Sequence, residues 1–306
     1  MAKQYLVLDI GGTFIKYALM DEDATFIEQG KVLADTTCEE AMLASLGVLA
    51  AKFSETDYEG VAISMPGRIG TKEGIAYTGG AFQWIRDYPA GERYGAVFGK
   101  PCTIANDGKC AAYAESWKGA LSDVDSGAVI VLGTGIGGGI VINNEVWMGA
   151  TGGAGELSAF PCNFDTFREP ITFTHGITGI WAGRCSAGSI VGKYGYQKQL
   201  GQVDGIRLFD DYEAGDPVAK AVIDEFAFQM SIGIYGIQSV LDLPRYAIGG
   251  GISARPETTT VVRDAVDKLF DEQMLCPFGK PEIVTCSFGN EANLIGALAF
   301  HLKNQE

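Results

Sequence analysis

The sequence is poor in positive charge. Its 23 lysine and arginine residues stand against 38 aspartate and glutamate residues, which gives a formal net charge of −15 at pH 7. Nucleic acids and anionic membranes are bound largely by lysine and arginine side chains that replace counterions, so this balance argues against both partners. Any phosphate group that the protein binds must therefore be held mainly by local backbone dipoles and by a metal ion.

Long apolar runs and metal-binding clusters are also missing. The chain has no stretch of about 18 apolar residues, and its first residues lead into a predicted strand without a signal-peptide pattern, so we expect a cytoplasmic protein. The seven cysteines are scattered and form no Cys-x-x-Cys pair, which favours reduced thiols, mostly in the core. With only His175 and His301 available, a Cys/His zinc site has little support, and each histidine is expected to be structural or exposed.

The most informative segment that is present joins two apolar strands through a glycine turn near the start of the chain. It carries in order a carboxylate, two glycines, a hydroxyl and an ammonium group: Asp9, Gly11, Gly12, Thr13 and Lys16. Glycine lets backbone N–H groups approach an anion, and the hydroxyl and ammonium groups can donate to the same anion. A carboxylate would repel a phosphate, so Asp9 fits best if it holds hydrated Mg²⁺. The alternative is an ordinary hairpin in which Asp9 is a turn residue.

The same design recurs later in the chain. Gly133, Thr134 and Gly135 again lie between two apolar runs, and a third glycine loop at residues 249–251 can lay its backbone against a flat ligand. Two phosphate hairpins and a later glycine loop suggest two related halves that close on one nucleotide. Residues 133–138 also match the Gly-x-Gly-x-x-Gly fingerprint of dinucleotide-binding proteins, but that pattern must open a helix, whereas residues 140–147 read as a strand and a turn.

Strands alternate with helices along the chain, which predicts an α/β fold. We expect strands at 5–9, 14–20, 26–31, 60–64 and 102–105, helices at 38–53 and 111–118, one or two helices within 215–241, and an amphipathic helix at 290–302. Ligands of such folds gather at the C-terminal ends of strands, where Gly67 and the Asn106–Asp107 pair are expected. The length suggests about two domains, and the duplication places their division near residue 115.

Asp107 is the main candidate for a chemical role. At the end of a strand and the start of a helix, its carboxylate can accept a hydrogen bond from a substrate hydroxyl and act as a general base. A helix N-cap is an equally good interpretation of its position alone. A second carboxylate, Glu156, follows a glycine-rich loop that can bring it to a polyol, although such a residue is more often a solvated surface group.

Taken together, these segments resemble the ROK sugar kinases of the actin-like ATPase superfamily. The resemblance rests on the hairpins at 9–16 and 133–139, the Asn106–Asp107 pair and the loop at 249–251, in this order and spacing. It spans nearly the whole chain. It implies two actin-like (ribonuclease H-like) domains, residues 1–115 and 116–291, with an inter-domain cleft for sugar and ATP, and a C-terminal helix, 292–306, that packs back on the first domain.

The resemblance also implies a role for each candidate residue. Asp107 would take the proton of the sugar hydroxyl, while Asn106, Glu156 and Gly67 would line the sugar pocket. The transferring phosphate would meet the first hairpin, and Asp9 would order Mg²⁺, most simply through water. The rest of ATP would lie on the second hairpin and on the third loop: Gly133, Thr134, Gly135, Gly250 and Gly251.

The chain departs from the common ROK pattern after Glu156. Ala159 stands where the family has a histidine, and the cysteine cluster that binds structural zinc is absent, so we expect no zinc. Segments 78–82 and 289–296 are similar to those of bacterial β-glucoside kinases, which phosphorylate the 6-hydroxyl of cellobiose and related glucosides. Phe82 and Trp84 would suit the apolar face of a second sugar ring, with plain packing as the alternative.

Other functions remain open at this point. Glucokinase, fructokinase and N-acetylmannosamine kinase are alternatives within the family. A sugar-sensing regulator or a nucleotide-dependent switch is the alternative from another class, but the regulators of the family carry a winged helix before the first hairpin, and here Asp9 follows the first residue almost at once. We expect a small sugar or glucoside as the partner. Homodimers are common in the family, and the resemblance alone suggests one.

Overall fold

The computed structural model describes residues 2–172, 176–272 and 276–305, so His175 lies outside the described residues. The chain forms two compact units. The first comprises residues 1–118, 146–154 and 291–306, and the second comprises residues 119–145 and 155–290. The domain boundary expected between residues 115 and 116 stays a prediction.

The strands of the described residues are, in chain order, β1 Gln4–Ile10, β2 Phe14–Asp21, β3 Phe26–Leu33, β4 Gly60–Met65, β5 Ile69–Gly70, β6 Ile75–Thr78, β7 Arg86–Tyr88, β8 Cys102–Asn106, β9 Gly127–Leu132, β10 Ile136–Ile142, β11 Glu145–Val146, β12 Arg245–Gly249 and β13 Glu282–Thr285. The α-helices are α1 Glu39–Lys52, α2 Ala90–Phe98, α3 Asp107–Lys118, α4 Ala182–Cys185, α5 Ala187–Lys198, α6 Gly205–Glu213, α7 Pro217–Leu241, α8 Pro256–Glu272 and α9 Ala292–Lys303. The α/β fold class predicted from the sequence is therefore confirmed.

The two units contain sheets of the same design. Among the described residues the first sheet has the order β3-β2-β1-β4-β8, and the second has the order β11-β10-β9-β12-β13. In each sheet a hairpin supplies an antiparallel pair, β1 with β2 and β9 with β10, and the hairpin's first strand then pairs in parallel with the next strand of the sheet. This repetition confirms the related halves inferred from the glycine turns. A small sheet, β5-β6-β7, is inserted between β4 and β8 of the first unit.

Apolar periodicity accounts for most of the elements. The central strand β1 is buried from Tyr5 to Ile10, as expected for a strand covered on both faces. One face of α1 and the residue after it carry the apolar side chains Met42, Leu46, Leu49 and Phe53, which are all buried. Helix α7 begins with Asp216, which accepts hydrogen bonds from two backbone N–H groups, followed by Pro217 in the first turn. Residues 140–147 form strand and turn, which confirms that the Gly-x-Gly-x-x-Gly match opens no helix.

The structure confirms Asp107 at the start of a helix, but the range of 111–118 expected for α3 begins four residues too late. The helix begins at Asp107 and not near residue 111, because the side chain of Asn106 accepts a hydrogen bond from the backbone N–H of Lys109 and caps the helix. The glycine at position 108 had obscured this start, since glycine lowers helix propensity.

The last helix, α9, packs within the first unit against α3, β1 and β4. Gly296 makes the crossing with α3 possible, because an added Cβ would clash with the carbonyl oxygen of Cys110. On the same helix His301 is buried, with its ring nitrogens 2.8 Å from Thr103 Oγ1 and 2.7 Å from Gln305 Nε2. This histidine is structural, as the sequence suggested.

The cysteines behave as core or partly buried thiols. All seven are free, and burial raises the pKa of the Cys102 thiol to about 12 and raises the pKa of Cys110 further. Within the described ranges no group of three or more His, Cys, Asp or Glu side chains is arranged to hold a metal ion. The expected absence of zinc stays a prediction. No helix in the described part of the chain is long and apolar enough to cross a bilayer.

Candidate active site

The first glycine hairpin forms an open turn between β1 and β2. The backbone N–H of Gly11 donates to the carbonyl of Phe14 at 3.0 Å and closes the turn. Gly12 and Thr13 are exposed, and a Cβ added at Gly12 would have no heavy atom within 4 Å. Glycine is therefore not needed at position 12 for packing, and its backbone faces space that a ligand can enter.

Asp9 lies at the C-terminal end of β1 and is almost fully buried. It is paired in register with Lys16 on β2 and with Ser64 on β4. Its Oδ1 accepts hydrogen bonds from Ser64 Oγ and Asn293 Nδ2, both at 3.1 Å, while its Oδ2 lies 3.4 Å from Lys16 Nζ. The sequence pattern predicted that Asp9 and Lys16 lie in one hairpin. It indicated no role for the Ser64 hydroxyl or for Asn293.

Asn106 and Asp107 occupy the junction between β8 and α3. Asn106 is buried, and its Nδ2 donates to the Gly67 carbonyl at 2.9 Å and to Asp107 Oδ1 at 3.0 Å. Asp107 Oδ1 also accepts from the backbone N–H of Gly108 at 2.8 Å. Of the two residues, Asn106 makes the capping bond across the first turn of α3, and Asp107 is the first helical residue, with its carboxylate oriented by two donors.

Gly67 belongs to the same hydrogen-bonded cluster. It has φ +100, and an added Cβ would clash with the carbonyl of Thr78, so only glycine fits this turn. The next residue, Arg68, donates to the carbonyl of Thr151 at 3.0 Å and holds the glycine-rich segment that precedes Glu156. The structure therefore brings Gly67, Asn106 and Asp107 together at the carboxyl edge of the first sheet.

The two aromatic residues proposed to contact a second sugar ring differ in burial. Phe82 is 1% exposed within the core of the first unit, so it is a packing residue and does not face a ligand. Trp84 is partly buried against that core, with its indole N–H donating to the carbonyl of Thr36 at 3.0 Å. The suggested contact of Trp84 with a second sugar ring stays a prediction.

The second hairpin, in the second unit, is also closed by its own backbone. Gly133 N–H donates to the carbonyl of Gly135 at 3.0 Å, and Gly188 N–H, in the first turn of α5, donates to the carbonyl of Gly133 at 3.3 Å. Ser158 Oγ is hydrogen-bonded to both backbone groups of Ile136. The loop that carries Gly133, Thr134 and Gly135 is thus braced on two sides.

The third glycine loop lies beside the second hairpin. Strands β12 and β9 are parallel neighbours, and Gly249 is paired with Val131. Gly250 has φ +96, and its added Cβ would lie 2.6 Å from the backbone nitrogen of Leu132, whereas a Cβ on Gly251 would meet nothing within 4 Å. The structure therefore brings residues 133–135 and 250–251 together, with Gly250 required by packing and Gly251 open.

Glu156 also belongs to the second unit. It is exposed and precedes the short 3-10 helix Leu157–Ala159. Asn106 and Asp107 belong to the first unit, so the expected cooperation of these residues with Glu156 stays a prediction.

The family of the chain follows from comparison with known proteins. A profile of the ROK family matches residues 5–304, and the chain belongs to this family. It is 31% identical to a β-glucoside kinase of Klebsiella pneumoniae over 294 residues, which cover 95% of this chain and 93% of the relative.

Two solved structures extend the comparison. The fold is similar to that of a ROK family protein from Streptococcus pneumoniae TIGR4 in complex with sucrose, with a TM-score of 0.87, 26% identity and coverage of 99% of both chains. It is also similar to a ROK family glucokinase from Streptomyces griseus in complex with glucose and AMPPNP, with a TM-score of 0.80, 25% identity and coverage of 99% and 100%. The family named from the sequence motifs is therefore confirmed.

Proposed function

We propose that the protein is an ATP-dependent sugar kinase that transfers the γ-phosphoryl group to the 6-hydroxyl of a β-glucoside such as cellobiose. The observation that carries the proposal is the cluster of Gly67, Asn106 and Asp107 at the same sheet edge as the Asp9 hairpin. The likeness to a β-glucoside kinase over nearly the full length supports the choice of substrate. Two actin-like domains, with sugar and ATP in the cleft between them, complete the proposal.

Asp107 is suited to the role of general base. A base must first be within hydrogen-bond reach of the proton that it removes, and this requires a fixed carboxylate. The two donors on Oδ1, from Asn106 Nδ2 and Gly108 N–H, provide that fixation. Asn106 is itself held through the Gly67 carbonyl and the Lys109 N–H, so the sugar-facing turn and the base share one rigid junction.

The glycine loops are suited to hold the nucleotide. In the first unit, Gly11, Gly12 and Thr13 would meet the transferring phosphate, with Lys16 supplying a positive charge. In the second unit, Gly133, Thr134 and Gly135 would hold the remaining phosphates, and Gly250 and Gly251 would contact the adenosine. The open space at Gly12 and Gly251 supports this assignment, because a backbone that is not needed for packing is free to approach a ligand.

The residues around Asp9 fit a magnesium ion. A nearly buried carboxylate faces an exposed glycine turn and already balances the positive charge of Lys16. Bound Mg²⁺ would neutralise charge on the phosphates that it bridges. Asp9 would hold the waters of that ion, and Lys16 would donate to a phosphate oxygen.

The test is phosphorylation of a defined set of acceptors. The purified protein is incubated with ATP, Mg²⁺ and one sugar at a time: cellobiose, methyl β-glucoside, methyl α-glucoside, glucose, fructose or N-acetylmannosamine. Formation of ADP is followed by a coupled assay, and the product is identified by mass and NMR. We expect the highest kcat/KM for the β-glucosides and phosphate on the 6-hydroxyl, with the α-glucoside as the matched control.

Two outcomes would contradict the proposal at different levels. If glucose, fructose or N-acetylmannosamine is preferred to both β-glucosides, the substrate is wrong and the kinase assignment stands. If no sugar raises ADP formation above the sugar-free rate, the kinase assignment itself fails and a regulator or switch becomes the better interpretation.

A further inference from the structure

The two oxygens of the Asp9 carboxylate have different surroundings. Oδ1 accepts two hydrogen bonds, from Ser64 Oγ and Asn293 Nδ2 at 3.1 Å. Oδ2 lies 3.4 Å from the ammonium of Lys16, whose side chain is 45% exposed against 11% for Asp9. The carboxylate is therefore held through one oxygen and directs the other toward a cationic group on the open side of the hairpin.

Asn293 is held in place by a close helix crossing. It is the second residue of α9 and reaches Asp9 across 284 positions of sequence. One turn later, Gly296 packs directly on the backbone of Cys110 in α3, where any side chain would clash. Since α3 begins at Asp107, this single crossing fixes both the helix of the candidate base and the donor to Asp9.

We propose that Asn293 is a positioning residue for the magnesium nucleotide. Together with Ser64 it holds Oδ1, so that Oδ2 is the oxygen presented to the hydrated ion, while Lys16 balances the Asp9 charge before the nucleotide arrives. The inference rests on the proposed function in that the ligand is a magnesium nucleotide. Groups that orient the ligands of a metal commonly account for roughly 10- to 100-fold in metal affinity, and we take this range for a carboxylate that holds the waters of the ion.

The test measures magnesium dependence without turnover. Two variants remove the donor: Asn293→Ala, and Asn293→Leu, which keeps a similar side-chain shape. The control is Asn304→Ala, in which the lost amide donates to the carbonyl of Phe300 at the other end of the same helix. Binding of AMPPNP, a nonhydrolysable ATP analogue, is measured by calorimetry over a series of Mg²⁺ concentrations and in EDTA, and the melting temperature of each free protein is recorded.

We expect the half-saturating Mg²⁺ concentration to rise roughly 10- to 100-fold in both Asn293 variants and to stay unchanged in Asn304→Ala. AMPPNP affinity in EDTA should remain within about twofold of the wild type, because both Asn293 substitutions act through Asp9 on the magnesium ion. An unchanged magnesium dependence in a folded Asn293 variant would overturn the inference. An equal loss of AMPPNP affinity with and without Mg²⁺ would also overturn it, since a merely structural role predicts that pattern.

Ser64→Ala keeps the test decisive if both Asn293 variants fail to fold. It removes the other donor to Oδ1 and should raise the half-saturating Mg²⁺ concentration in the same direction, and no change would overturn the inference. The binding assay also separates this inference from the proposed function. Suppose that the wild-type protein phosphorylates no sugar, and that the Asn293 variants bind AMPPNP more weakly than the wild type in the presence of Mg²⁺. This pair of results would support the positioning role and refute the kinase assignment.

Discussion

Acidification should destabilise the protein through one histidine. His301 is 1% exposed on α9, and burial lowers its pKa from 6.5 to about 4. A lowered pKa in the folded state means that the unfolded chain binds the proton more tightly. The contribution of His301 to the free energy of unfolding is therefore fully present above pH 6.5 and is lost as the pH falls from 6.5 toward 4.

The magnitude follows from the two pKa values. The difference between a pKa of 6.5 in the unfolded chain and about 4 in the folded protein, at about 1.4 kcal/mol for each pKa unit, corresponds to roughly 3–4 kcal/mol of the free energy of unfolding. This is a large share of the roughly 5–15 kcal/mol that stabilises a typical folded protein. Gly60 packs closely on the ring and contributes to this burial, since an added Cβ at position 60 would lie 2.5 Å from His301 Nε2.

The assay uses the scarcity of histidine in this chain. With only two histidines, NMR of ¹³C-labelled imidazole gives two signals, and a His175→Gln variant identifies the one from His301. We expect the His301 signal to show no titration above about pH 5. Thermal unfolding at pH 7, 6 and 5 is compared with that of His301→Gln, which should lose less stability on acidification. A midpoint near 6.5 for His301, or the same pH dependence of stability in both proteins, would refute the reasoning.

Four further substitutions test separately the proposed general base, the proposed nucleotide contacts and the packing of α9 on α3. Asp107→Asn should lower kcat roughly 10²- to 10⁴-fold, measured by the coupled assay, while AMPPNP binding persists, because the proposed role of the carboxylate is to remove a proton from the sugar. Gly12→Ala and Gly251→Ala should leave the melting temperature nearly unchanged, since the added methyl groups enter open space. Both should weaken AMPPNP binding, because the proposed nucleotide site uses that space. Gly296→Ala should lower the free energy of unfolding in urea by at least roughly 1–3 kcal/mol, because its methyl group meets the backbone of Cys110.

Matched controls decide how these results are interpreted. Gly47→Ala in α1 also meets no atom within 4 Å and should preserve AMPPNP binding while gaining up to about 1 kcal/mol of helix stability. An Asp107→Asn protein that keeps more than about a tenth of the wild-type kcat would exclude a general base at this position. Unchanged AMPPNP binding in both Gly12→Ala and Gly251→Ala would show that these turns lie away from the nucleotide.

Local patterns in the sequence were sufficient to predict the two glycine hairpins and the helices α1, α7 and α9, whereas α2, α5, α6 and α8 were not predicted. The first hairpin, α1 and the cap of α7 depend on residues within a few positions of one another, so their periodicity and capping residues are visible without a structure. The start of α3 was missed because the glycine at 108 masked a capping bond that Asn106 makes to Lys109. The family resemblance then placed these pieces in one fold.

Contacts between distant parts of the chain could not be predicted in the same way. The bond from Asn293 to Asp9 depends on how closely α9 approaches α3, and the repeat pattern of one helix carries no information about its partner. Ser64 could have been suspected from its place at the end of a parallel strand beside β1. The choice between packing and ligand contact for Phe82 could not be made from the sequence, because aromatic character alone does not separate a buried ring from one that faces a ligand.

The order in which the ribosome releases the chain matters for the first unit. Residues 119–290 include all of the second unit, and the ribosome releases them before α9. Helix α9 nevertheless packs its buried residues against the sheet of the first unit and against α3, which are synthesised before the second unit. Until synthesis passes residue 303, the surface of α3 that receives Gly296 remains uncovered. A nascent chain of this protein must therefore keep an apolar face in water, or on a chaperone, for most of its translation.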